Sequence, residues 1–181
     1  YGGLKKLREA IDLAVERFHP TAVFIQSSCA AGIVGDDIES VADEKQAELG
    51  IPVVPVYCEG FKSKIWSSGF DAGYHGILKR IVKKPEKKQE ALVNIFNFLG
   101  SDTFTPILKK IGLRPNYLVP LADVDTIARM TEAACSTHIC ETLGTYITDV
   151  LEKEYGVPKV HAPAPYGIAW TDAWYREVAR F

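Results

Sequence analysis

Apolar positions along the chain alternate between the 3.6-residue spacing of an amphipathic helix and short β-rich runs. Leu4, Leu7, Ile11, Ala14, Val15 and Phe18 share one helical face, and His19-Pro20 closes that helix. Residues 21–26 read as a short strand. A glycine-bearing turn carrying Cys29 follows and leads to Asp36 and Asp37, acids suited to a helix start. That helix runs to Leu49-Gly50. Residues 51–57 read as extended, and Pro52 and Pro55 argue against a fully hydrogen-bonded central position. A further helix is predicted over about 70–82.

The segment 83–90 is charged and contains Pro85. It reads either as a domain boundary or as a solvated turn. Beyond it the alternation resumes, with a strand over 92–98 and a helix from Asp102 to Ile111 closed by Gly112. A strand over 116–120, a short helix from Asp123 and a strand over 133–139 come next. A helix from Cys140 to Tyr155 ends at Gly156, followed by a short strand at 157–160, a rigid loop at 162–167 and a last helix from Thr171. Repeated strand–helix units imply an α/β fold, as two Rossmann-like units with parallel sheets flanked by helices. The units are placed at 1–84 and 91–181.

At 181 residues the chain can bury a sizeable core. A net charge of −2 argues against a nucleic-acid surface. No apolar run approaches the ~18 residues of a membrane span, and the first residues do not resemble a signal peptide. No membrane partner is therefore expected, and a cytoplasmic location is. The four cysteines, Cys29, Cys58, Cys135 and Cys140, form no C-x-x-C pair, so a self-contained zinc ribbon or redox dithiol is not indicated.

Phosphate-loop and dinucleotide fingerprints are missing, although Gly32 and Gly35 follow a strand. Cys29 and Cys140 occupy equivalent places, each after a strand and before a helix. Open α/β sheets put chemistry at such places. At a helix start the macrodipole and free N–H groups favour the thiolate that binds metal. Each cysteine could equally be a small apolar core residue. Cys135, within a strand, and Cys58, in a turn, read as structural. His138, two residues before Cys140, could share its face as a second ligand or serve as a hydrogen-bonded strand histidine. Asp36, Asp37 and Glu39 read as helix-start acids, and spacing assembles no Ser-His-Asp set.

The run Cys29-Ala30-Ala31-Gly32-Ile33-Val34-Gly35-Asp36-Asp37-Ile38-Glu39-Ser40-Val41 resembles the C-P-x-G-L-I-G-D-D-I-E-S-V segment of nitrogenase component 1 alpha subunits. Val54-Pro55-Val56-Tyr57-Cys58-Glu59-Gly60-Phe61 resembles the family's next motif, at the family's interval. Tyr1-Gly2-Gly3-Leu4-Lys5-Lys6-Leu7 is similar to its F-G-G-x-K-K-L, and Cys140 with Tyr146-Ile147 and residues 151–158 to its cofactor-cysteine helix. The resemblance implies that Cys29 ligates a P-type iron–sulfur cluster shared with a beta-type component 1 subunit. It implies that Cys140 holds the terminal iron of an iron-based metallocluster. It gives Cys58 no cluster role.

The same resemblance implies an oxidoreductase subunit served by an ATP-dependent iron–sulfur reductase protein. Where dinitrogen-reducing members carry a glutamine and a histidine facing the cofactor, this chain has Trp66 and Phe70, which cannot make the same hydrogen bonds. His75 is the nearest substitute, or else a packed helix histidine. The loop 163–167 also departs from the family's polar and aromatic one. Further cluster cysteines would lie before Tyr1 and a distal histidine ligand after Phe181, so the chain reads as an internal fragment. Alone it is expected to hold neither cluster and to be inactive, since one thiolate does not complete an iron–sulfur site. The alternative to a reductase subunit is a scaffold for assembling nitrogenase-type cofactor. A Rossmann-like small-molecule-binding domain with four structural cysteines is a third reading.

Overall fold

A computed structural model describes residues 2–119 and 121–181. The expectations resting on Tyr1 and Pro120 lie outside the described residues. The chain divides into two compact units, Tyr1–Ile81 and Val82–Phe181, each with its own core.

In the first unit α1 (Leu4–Phe18) ends at His19, which takes a left-handed conformation (φ 47°) and donates its N–H to the Val15 carbonyl. Strand β1 (Val23–Gln26) pairs in parallel with β2 (Val53–Val56), Val23 opposite Val53 and Gln26 opposite Val56. Between them runs α3 (Ile38–Leu49), whose start is capped by the Asp37 carboxylate accepting from the Ser40 amide. After β2 comes α4 (Ser68–Arg80). Ile11, Ile25, Ile38, Val41, Ala42 and Val53 form the core. Their burial supplies the main driving force, on the order of 1.5–3 kcal/mol for each large side chain.

The second unit holds a three-stranded parallel sheet in the order β4 (Arg114–Val119), β3 (Gln89–Phe96), β5 (Ala133–His138). Short helices α5 (Thr105–Leu108) and α6 (Val124–Ala128) lie against β4, and α7 (Glu141–Tyr155) against β5. The last helix is α8 (Gly167–Val178). Val93, Ile95, Leu108, Cys135, Trp174 and Val178 belong to one apolar core. On β3 the alternate residue Asn94 is also fully buried, and it is satisfied by the Met130 carbonyl (2.7 Å), Ser136 (3.0 Å) and Asn116 (2.8 Å). Parallel sheets flanked by helices are thus present in both units.

Several local readings change. The turn carrying Cys29 contains a helix, α2 (Cys29–Val34), because the Ser28 hydroxyl accepts from the Ala31 amide and Gly35 closes it in a left-handed conformation. The strand at 157–160 reduces to one parallel bridge, Ser136 with Lys159. Strand β3 begins inside the charged segment, at Gln89, and α8 begins four residues before Thr171. The helix over 102–111 splits into α5 and a single 3-10 turn, Lys109–Ile111. No helix among the described residues is long and apolar enough to cross a membrane.

Candidate functional site

Parallel pairing of β1 and β2 ends both strands at the same edge, so residues 27–29 and 57–60 leave side by side. Ser27 stitches them together. Its N–H donates to the Val56 carbonyl (3.0 Å), and its hydroxyl accepts from the Cys58 amide (3.2 Å). The Cys58 thiol lies 3.8 Å from the Ser27 carbonyl as a weak donor, which fits a structural role. Cys29 is the exposed first residue of α2. A Cβ on Gly60 would stand 3.8 Å from its Sγ, so the absence of a side chain there keeps the sulfur's flank open.

Beneath the same helix sits Glu59, whose side chain is 2% exposed. Its carboxylate is 3.0 Å from the Lys62 ammonium, yet Oε2 has no properly oriented hydrogen bond. It fills the slot left by Gly32, where a Cβ would come within 2.6 Å of Glu59 Cγ. Burial alone raises the Glu59 carboxyl, but its own backbone N–H, Lys62 and Ser27 together hold it below its ordinary value.

Trp66 and Phe70 meet edge to face at 6.1 Å, and Phe70 also lies 6.4 Å from the Tyr74 ring. Trp66 is 73% exposed and Phe70 37%. His75 is on another face of α4, lining a cavity of about 240 Å³ with Glu39, Tyr57, Lys79 and Arg80, which neither Trp66 nor Phe70 lines. Sequence spacing did not reveal the ion network beside it. Glu39 accepts from Lys79 (2.6 Å), Arg80 (2.5 Å) and the Tyr57 hydroxyl (3.1 Å), and Arg80 also reaches Asp43 (2.6 Å). Lys79 first, then Arg80 and Tyr57, hold the Glu39 carboxyl below its usual range. Burial, then the Glu39 carboxylate, pushes the Tyr57 phenol up to about 12.

In the second unit β3 and β5 also end together, with Phe96 opposite His138. Cys140 is the half-buried residue at the start of α7. Its carbonyl accepts from the Leu143 (3.2 Å) and Gly144 (2.9 Å) amides, while its side chain makes no capping bond. The preceding turn is held on both sides. The Ile139 amide donates to the Phe96 carbonyl (3.3 Å), and the Tyr166 hydroxyl donates to the Ile139 carbonyl (3.3 Å).

His138 packs under α7, where a Cβ on Gly144 would fall 2.3 Å from the His138 Cβ. Its Nδ1 is buried without a hydrogen-bond partner. Burial, then the charge of Lys159, lowers its pKa. Cys135 is a fully buried core residue whose thiol burial pushes up to about 12.

Among the described residues, no group of three or more His, Cys, Asp or Glu side chains is arranged to hold a metal ion. Cys29 and Cys140 each offer one soft sulfur at a strand-to-helix turn. That donor chemistry suits iron–sulfur ligation, although one thiolate does not complete such a site. Glu59 was legible only as part of a motif, and Tyr166 only as part of a loop. Their partners are set by strand register and by the path of the 162–167 loop.

Comparison with known proteins gives four findings that agree on the family. The family described as Nitrogenase component 1 type Oxidoreductase matches residues 1–181. A nitrogenase molybdenum-iron protein alpha chain of Methanosarcina barkeri is 34% identical over all of this chain and 35% of its own length. A nitrogenase iron-molybdenum cofactor biosynthesis protein NifE of Methanococcus maripaludis is 30% identical over all of this chain and 39% of its own. The solved structure of nitrogenase Cp1 at pH 5 superposes with a TM-score of 0.80 at 27% identity, covering 98% of this chain and 40% of that one. The chain thus spans between a third and two fifths of the length of these relatives.

Proposed function

The chain belongs to the nitrogenase component 1 type oxidoreductase family, and from that premise we propose that it is part of the alpha-type subunit of a nitrogenase-like reductase. In this reading Cys29 ligates a P-type iron–sulfur cluster shared with a beta-type subunit, and Cys140 ligates an iron-based metallocluster. When bound, these groups supply electron storage and the place where a small substrate is reduced. The observation that carries the reading is the matched placement of two cysteines, each at a strand-to-helix turn, with the motif residues around Cys29 folded against it.

The chain's own residues have distinct parts. Ser27 fixes the relative position of the Cys29 and Cys58 turns. The Tyr166 hydroxyl and the Phe96 carbonyl hold Ile139 and so fix the turn from which Cys140 leaves. Ile33, Val34 and Phe61 expose apolar surface around Cys29, which suits burial against the beta-type subunit. Trp66 and Phe70 present aromatic edges. The indole N–H donates only, and phenylalanine neither donates nor accepts, so they do not deliver protons as a histidine would. Proton delivery to dinitrogen from these positions is therefore not part of this reading, and a different small substrate, unsaturated or carbon–sulfur, is proposed in its place. Electrons would arrive from an ATP-dependent iron–sulfur reductase.

The similarity to NifE proteins supports a second reading, a scaffold on which nitrogenase-type cofactor is assembled. One experiment separates the two. The full-length gene product is purified with its beta-type partner under anaerobic conditions and mixed with reductase and ATP. A reductase subunit gives ATP-dependent consumption of a small unsaturated or carbon–sulfur substrate. A scaffold retains its clusters without turnover and passes cofactor to an acceptor protein.

A further inference from the structure

Glu59 is a carboxylate buried beneath α2, the helix that Cys29 opens. Gly32 and Cys29 are three residues apart on α2, hence on one face, with Cβ positions about 5–6 Å apart. Glu59 occupies the place a side chain at position 32 would take, and the next residue, Gly60, borders the Cys29 sulfur. Among the described residues its charged partner is Lys62, whose half-exposed ammonium stands 3.0 Å from Oε2, the oxygen that lacks an oriented hydrogen bond. Burying a carboxylate carries a desolvation cost, offset here by Lys62, Ser27 and the residue's own backbone N–H.

We propose that Glu59 is a positioning and charge-tuning residue for the Cys29 thiolate, bracing α2 through the Gly32 slot and holding a negative charge beside the group that Cys29 ligates. The inference rests on the reading of Cys29 as a cluster ligand. Two consequences follow from electrostatics. A fixed negative charge disfavours adding an electron nearby, so it lowers the reduction potential of the neighbouring group. Lys62 opposes it, more weakly, because its exposed ammonium is screened by solvent.

The test is an EPR-monitored redox titration of the full-length chain with its beta-type partner, following the signal that Cys29→Ala abolishes. Glu59→Gln is expected to shift that midpoint to more positive potential with iron content unchanged. An unmoved midpoint at full iron content overturns the proposal. Should Glu59→Gln lose the cluster, Lys62→Ala decides. A smaller shift, to more negative potential, supports the proposal, and no shift overturns it. Failure of the underlying assignment shows separately, because Cys29→Ala then keeps the signal.

Discussion

Gly144 is one of two places where a missing side chain defines the geometry of a candidate ligand. A methyl group there meets His138 Cβ at 2.3 Å, and neither a Cβ nor the helix backbone can yield by rotation. Gly144→Ala is therefore expected to destabilise the protein by about 1–3 kcal/mol, despite alanine's better helix propensity. Denaturant unfolding measures this. Adding His138→Ala removes the ring but keeps the Cβ, so it should recover only part of the loss.

The cysteines make a second residue-level contrast. At mildly alkaline pH a maleimide should label exposed Cys29 in the folded chain and leave Cys135 untouched until unfolding, as peptide mass mapping would show. Burial raises the Cys135 thiol from 9.0 to about 12. Between those values the unfolded chain has released a proton that the folded chain keeps. Its contribution to stability is thus complete below the ordinary thiol value and is lost as pH rises through this window. Cys135→Ala should flatten that alkaline limb.

At the scale of elements, Glu39 ties α3 to α4 and to the residue after β2. Its carboxyl is held below the ordinary range, so the stability it contributes is present above that range and lost as pH falls through the folded value. Glu39→Gln should shrink the acid limb of the stability profile. Glu39→Ala should cost roughly 1–3 kcal/mol in urea denaturation, because buried Arg80 is left with Asp43 as its one charged partner among the described residues.

Elements with a full period were legible in the sequence. The bounds of α1 follow from its apolar stripe and His19, and those of α7 from Cys140 and Gly156. Six-residue α2 was hidden because it is shorter than two turns and its signal is a serine cap. The single bridge at Lys159 was read as a strand because Val157 and Val160 are apolar, yet both are buried as loop residues packed in the core.

For the whole molecule, the α/β class was legible because strand and helix patterns alternate throughout. Pattern placed Cys29 and Cys140 each after a strand and at the head of a helix, as the structure has them, while their ligand role came from the family resemblance alone and stays a proposal. What lay around them was not legible. Glu59 reaches Gly32, and Tyr166 reaches the turn before Cys140, through pairings that exist only once strand register is set. The rest of each ligand set is proposed to come from chain outside this stretch and from a beta-type subunit.

The central claim is that Cys29 and Cys140 ligate two different iron-containing centres. The most direct measurement is iron content with EPR on the anaerobically purified full-length protein and its beta-type partner, comparing wild type, Cys29→Ala and Cys140→Ala. The expected result is that each substitution lowers iron and removes a different signal. Retention of every signal and of full iron content in both variants would contradict the assignment.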